Sequence, residues 1–175
     1  MASTASFTLD VATVLCIVFS LSMMPIAYIL SKTLVPAHRT RDRVLFFWHA
    51  YDALTHVFIE GSFLYECFFS FTTVTENRSV EPFFLNDPTR IYGPAYGTGP
   101  SSRLWQEYAK ADRRWAGPDL TVVSLELLTV FLGGPAAIYI CYLLCRSSNE
   151  KISAKSRGSV KATLWLVSTV LATAE

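Results

Sequence analysis

Apolar residues run along this chain in three long blocks, over residues 9–31, 45–71 and 120–145, and a fourth run occupies residues 160–175. Each of the three exceeds the ~20 residues that a helix rising about 1.5 Å per residue needs to cross a hydrocarbon core. The fourth becomes continuously apolar near Ala162 and holds roughly 14 residues, which is short for a crossing. It reads as half a span or as the start of one that the chain does not complete, and truncation is the favoured expectation. The pattern predicts an all-α, polytopic transmembrane helix bundle, three full spans plus a partial fourth, forming a single domain over residues 1–175. Met23-Met24-Pro25 inside the first block reads as a kinked span. A cleaved leader would need a basic segment before it, and none is present.

The polar segments between the blocks orient them. Lys32, Arg39, Arg41 and Arg43 follow the first block, and Arg146, Lys151, Lys155, Arg157 and Lys161 follow the third. No Lys or Arg precedes the first. By the positive-inside rule, loops 32–44 and 146–161 are cytosolic, and the N-terminus and loop 72–119 are lumenal. In that long loop Asn77-Arg78-Ser79 is a glycosylation acceptor pattern. Its turn formers (Pro82, Asn86-Asp87-Pro88, Gly93-Pro94, Gly99-Pro100) predict a mostly irregular path. The exception is Arg103 to Trp115, an expected amphipathic helix with Leu104, Trp105, Tyr108 and Trp115 available for the membrane interface.

Composition agrees with this picture. Charged residues make up 17% of the 175 positions, against about 25% in ordinary soluble domains. A net charge of +1 gives no field that would attract nucleic acid. Cys16, Cys67, Cys141 and Cys145 lie in or beside apolar runs without CxxC or zinc-type spacing, so free buried thiols are expected, with no metal site.

The second block breaks the apolar rule in a patterned way. His49, Asp52, His56 and Glu60 are separated by three, four and four residues. At roughly 100° per residue they share one face within an arc of about 80°, leaving the other side to Phe47, Leu54, Phe58 and Tyr65. Glu66 falls off this arc, near the end of the block, where it is expected to reach the interface. In the third block Glu126 and Thr129 share a face that Gly133 continues. An Asp at the centre of a membrane helix costs ~2.5–3.5 kcal/mol, while each Leu or Phe returns only ~0.3–0.6. Such groups therefore turn toward other helices or water, and Glu126 is expected to face the His56/Glu60 stripe. Polar residues that only glue helices together are the simpler explanation for any one of them. Two histidines and three carboxylates on converging faces point instead to a site that holds a proton donor and a proton acceptor together. No nucleophile beside a base, phosphate loop or dinucleotide fingerprint appears. The residue types fit cofactor-free proton transfer on a lipophilic substrate, or a binding site for cationic amphiphiles without chemistry.

Three segments resemble the emopamil-binding protein family, also described by its EXPERA domain. They are His56-Val57-Phe58-Ile59-Glu60-Gly61, then Leu104-Trp105-Gln106-Glu107-Tyr108-Ala109-Lys110 with Asp112, then Glu126-Leu127-Leu128-Thr129 leading to Gly134-Pro135. The resemblance implies a sterol Δ8–Δ7 isomerase of the endoplasmic reticulum membrane. It implies His56, Glu60, Glu126 and Thr129 as catalytic residues, with His49, Asp52, Tyr108, Asp112 and Trp115 contacting substrate. A sterol or other polycyclic lipid would be the substrate, cationic amphiphilic amines the inhibitors, and no cofactor is implied. Homodimerisation is left open. The family has five spans, the last lining the sterol pocket with an Asn and a Trp, so the resemblance also implies that this chain lacks the end of the bundle. A non-catalytic sterol-binding relative, or a paralogue acting on another terpenoid, are the alternatives.

Overall fold

The computed structural model describes residues 11–74 and 83–148. Asn77, the basic residues from Lys151 to Lys161 and the fourth apolar run at 160–175 lie outside the described residues.

Helices dominate what is described. α1 spans Val11–Leu34 and carries Pro25 inside it. A second helical run joins α2 (Thr40–Leu54), a π-helical stretch (Thr55–Glu60) and α3 (Gly61–Phe69). After the long loop and its helix α4 (Pro100–Ala111), a third run joins α5 (Leu120–Leu128), a π-helical turn (Thr129–Gly133) and α6 (Gly134–Ser148). Among the described residues two helices are long and apolar enough to cross a bilayer, Val11–Leu34 and Leu120–Arg146. They also carry bare apolar surface: Phe131 and Leu132 are each 65% exposed, a display that in water would invite association. The run from Thr40 to Phe69 has the length, but ionisable groups interrupt its apolar character where the site lies.

The chain divides into two units. The first draws on Met1–Leu21 and Phe63–Val123, the second on Ser22–Ser62 and Ser124–Glu175. In the second unit the core is built from Ala27, Val35, Phe46, Ala50, Ile140 and Leu144. The alanines permit close helix approach where hydrophobic solvent gain is absent. Arg43 reaches back to the C-terminus of α1, donating from Nε to the Val35 carbonyl at 2.8 Å and from Nη2 to that of Lys32 at 3.1 Å. It thus satisfies carbonyls that a helix end leaves open.

In the first unit the core is aromatic. Phe63, Trp105 and Trp115 meet with all three ring centroid separations at 5.0 Å, Trp105 and Trp115 being stacked. This corrects the expectation for α4: Leu104 and Trp105 are buried within the unit, not offered to the interface. Two indoles stacking on a phenyl ring bury more apolar area than an interfacial position would. The helix also starts earlier than expected, at Pro100, whose missing N–H suits a first turn, and ends at Ala111. Trp115 belongs to a separate 3₁₀ turn, Arg113–Ala116.

The loop is less irregular than its turn formers suggest. β1 (Phe71–Thr73) pairs antiparallel with β2 (Arg90–Tyr92), Phe71 opposite Tyr92, so the fold is not purely α. The Arg90 guanidinium covers the Phe71 ring at 4.2 Å, the sort of cation–aromatic contact that pins a short pair. Just beyond β2, Gly93 adopts φ +131°, and a Cβ there would stand 2.6 Å from Gly117 Cα. Only glycine fits that crossing. Asp119 then starts α5, its Oδ1 accepting from the Thr121 and Val122 amides at 3.0 and 3.1 Å. All four cysteines are free thiols.

Candidate functional site

The second unit brings the stripe together. His56 sits inside the π-helical stretch, and its ring is held between two carboxylates of its own helix. Nδ1 lies 2.6 Å from Glu60 Oε2, and Nε2 lies 3.3 Å from Asp52 Oδ1. Glu60 lies close enough to Glu126 and Thr129 of the third run to feel both electrostatically, and the Thr129 hydroxyl donates to Glu126 Oε2 at 3.4 Å. The result is a cluster of acid–base groups, Asp52, His56 and Glu60 on one run and Glu126 with Thr129 on the other. His49 lies one turn before Asp52 and feels its charge.

Local backbone makes this packing possible. In each run a π-type bond replaces the usual α-helical one, from the Gly61 amide to the His56 carbonyl and from the Gly134 amide to the Thr129 carbonyl. Such single-turn departures concentrate at functional sites. Both fall on the residues of the cluster. Gly133 and Gly134 take the imidazole against bare backbone: a Cβ on Gly133 would stand 3.2 Å from His56 Nε2, and one on Gly134 would stand 3.4 Å from His56 Cβ. Glu126 is buried. Among the described residues no three His, Cys, Asp or Glu side chains converge as a metal site would require.

The remaining sequence-derived site residues belong to the first unit. Tyr108 is exposed on α4, while Trp115 is committed to the aromatic core. Asp112 pairs with Arg114, Oδ2 to Nη2 at 2.6 Å, and its Oδ1 also accepts the Arg114 amide. The adjacent guanidinium and the amide hydrogen bond hold the Asp112 carboxyl below the usual aspartate range. The carboxylate thus has a partner within its own turn.

Glu66 is the residue that sequence reasoning misplaced. It does not reach an interface; it is 2% exposed. Its carboxylate accepts from three hydroxyls: Ser70, Ser101 at 2.5 Å and Ser102 at 2.6 Å. A straight-helix count assigns its direction wrongly, because the π-helical stretch before it inserts about one extra residue. Everything beyond it rotates by about 100°. The serines at 101 and 102, next to a helix-starting proline, were the available signal.

Long apolar helices together with a histidine–carboxylate cluster define a mostly helical protein of membrane type. The profile of the EXPERA family (the expanded EBP superfamily) matches residues 100–175. A probable 3-beta-hydroxysteroid-Delta(8),Delta(7)-isomerase of Arabidopsis thaliana is 30% identical over 108 residues, 62% of this chain and 38% of the relative. Its counterpart from Oryza sativa subsp. japonica is 31% identical over 103 residues, 59% of this chain and 36% of the relative. A protoglabretal synthase of Ailanthus altissima is 26% identical over 108 residues, 62% and 39% of the two chains. The chain belongs to the EXPERA/emopamil-binding protein family. The matches span less than half the length of these relatives, and no solved structure matches the chain.

Proposed function

We propose that this chain carries the acid–base half of a sterol Δ8–Δ7 isomerase, an intramolecular shift of a ring double bond without cofactor. The observation that carries this reading is the cluster of titratable groups, Asp52, His56 and Glu60 on one run facing Glu126 on a helix of membrane-crossing character. A proton added at C9 of the alkene leaves a carbocation at C8, and loss of a proton from C7 places the double bond at C7–C8. One proton enters and one leaves, so nothing is oxidised or reduced overall. His56 and Glu126 supply the entering proton. Glu60, hydrogen-bonded to His56 and close to Glu126, faces the cation and takes the C7 proton, and Thr129 holds the carboxyl pair in register. Fixed negative charge in a water-poor site stabilises such a cation more strongly than water would. Cationic amphiphilic amines fit the same site as imitations of the cation. The protein would reside in the endoplasmic reticulum membrane with loops 32–44 and 146–161 cytosolic.

The test is complementation of a sterol-isomerase-deficient yeast by the chain, with sterols read by gas chromatography–mass spectrometry beside His56→Ala and Glu126→Gln. Conversion of Δ8 to Δ7 sterols, lost in both variants, supports the reading. Good membrane expression without conversion overturns it for this chain. The synthase relative favours one second reading, the same acid–base set acting on another triterpenoid. Feeding such a substrate to the non-converting strain separates that from a binding protein.

A further inference from the structure

We infer that Asp52 is a positioning residue, which holds the Nε2–H of His56 so that only Nδ1 exchanges its proton with the Glu60/Glu126 pair. This rests on the isomerase reading and departs from the sequence-based assignment of Asp52 to substrate contact. Both imidazole nitrogens are engaged by protein: Nδ1 by Glu60 at 2.6 Å and Nε2 by Asp52 at 3.3 Å. The Gly133 backbone packs beside Nε2, where a Cβ would stand 3.2 Å away. Each nitrogen thus already faces a carboxylate of the protein, and the ring works as an internal relay. The imidazolium, with a proton on each nitrogen, matches a ring that faces a carboxylate on both sides.

The proton arithmetic then closes. The proton on Nδ1 passes to Glu60 Oε2, and the ring keeps its Nε2–H on Asp52 as the neutral tautomer. After the C7 proton has arrived on the carboxyl pair, it returns to Nδ1 and restores the imidazolium. Which nitrogen of a histidine keeps its proton is decided by the hydrogen bond that the other partner accepts. Asp52 sits one turn before the ring and Glu60 one turn after it, so the helix itself sets both partners. Asp52 is also the more accessible of the first pair, its side chain 27% exposed against 12% for His56. The titratable groups around it are His49 and His56 of its own run and Cys141 of α6.

The experiment compares wild type with Asp52→Asn, Asp52→Leu and Asp52→Glu, using the full chain in yeast membranes and purified in detergent with ¹⁵N-labelled histidine. The chain has three histidines, so His56→Ala assigns the signal. Expected are a His56 Nε2–H in wild type that is lost or mixed with the other tautomer in Asp52→Leu, and turnover reduced about 10- to 100-fold, as when an orienting partner of histidine is removed. The apparent KM should move less than about twofold, because the residue does not touch substrate, and Asp52→Glu should recover part of the rate. Unchanged turnover, or a loss carried by KM alone, overturns the inference. If wild type itself converts no sterol, the functional reading fails, while the ¹⁵N spectra still decide whether Asp52 holds Nε2–H. Asp52→Asn, nearly the same in size, keeps the test valid should Asp52→Leu fold poorly.

Discussion

Two carboxylates on one helical run, Glu60 and Glu66, are both withdrawn from solvent and both richly hydrogen-bonded, yet their surroundings differ in kind. Glu66 accepts from three serine hydroxyls. None of these donors exchanges a proton at ordinary pH. Glu60 accepts from a histidine and lies beside a second carboxyl, that of Glu126. Every partner there except Thr129 can gain or lose a proton. Burial and satisfied hydrogen bonds are thus common to a knot and to a reaction site; the distinguishing property is whether the partners can change charge. Glu66 fastens the start of α4 to α3 within the first unit, and Gly97 shows how closely: a Cβ there would run into Ser102 Oγ and Glu66 Oε2.

The largest effect that would break the comparison lies at Glu60. Glu60→Gln keeps shape and most packing but removes the exchangeable charge, so turnover should fall about 10²- to 10⁴-fold, the usual worth of a positioned acid or base. Its melting temperature in detergent should stay near that of wild type. Glu66→Gln, the matched change, should leave turnover per folded molecule unchanged. Equal losses of turnover in the two variants would erase the distinction drawn here.

Next comes stability in the first unit. Glu66→Ala leaves three hydroxyls without their acceptor, which should cost about 2–3 kcal/mol in unfolding free energy, since hydrogen bonds to a charged group are among the stronger ones. The check is denaturant unfolding followed by the fluorescence of Trp105 and Trp115. Unchanged stability would mean that the serines find other partners and that the knot contributes little.

How much of this was legible in the sequence follows from the same contrast. The His49–Glu60 stripe could be read because charges in a membrane helix are costly and because it ends with the π-helical stretch, before the register shift that the stretch passes on to Glu66. Glu126 could be read because a lone acid among Val and Leu needs a partner. Glu66 could not, because a π-helical insertion has no simple residue signature and it changes the register of all that follows. The β1/β2 pair escaped for a different reason: three-residue strands stay below the length at which alternation shows. Leu104 and Trp105 were assigned to the interface because amphipathic spacing says which face is apolar, not what covers it.

A subtler effect is expected at Gly133→Ala. The new Cβ would stand 3.2 Å from His56 Nε2, so something must yield by a few tenths of an ångström. The ring is fixed on both sides by Asp52 and Glu60, and its displacement should loosen one of those bonds. Alanine favours helix over glycine by ~1 kcal/mol, so stability should change by less than about 1 kcal/mol in either direction. Turnover should fall by less than about tenfold, as small misalignments of reacting groups do. Activity and stability measured on the same preparation separate the two terms. A loss of stability with full turnover would mean that the backbone moves and the ring does not.

The smallest effect belongs to Asp112, which the comparison places with Glu66 as a structural carboxylate, though at the surface. Its folded-state pKa is depressed by the side-chain hydrogen bond from Arg114, then by the Arg114 amide and the guanidinium charge. A depressed carboxyl contributes stability that is fully present above its unfolded value of about 3.9 and is lost as pH falls through the lower folded value. The stability difference between wild type and Asp112→Asn should therefore be flat from pH 7 to about 5. Below about pH 4 it should shrink as wild type takes up the proton. Because the pair is solvated, the difference should also diminish with added salt. Thermal melts of both proteins across that range, at low and high salt, provide the check. A difference that grows on acidification would have the wrong sign for a carboxylate stabilised by Arg114. If turnover of Asp112→Asn fell at pH 7 with melting unchanged, the residue would belong with Glu60 as a group that acts on substrate.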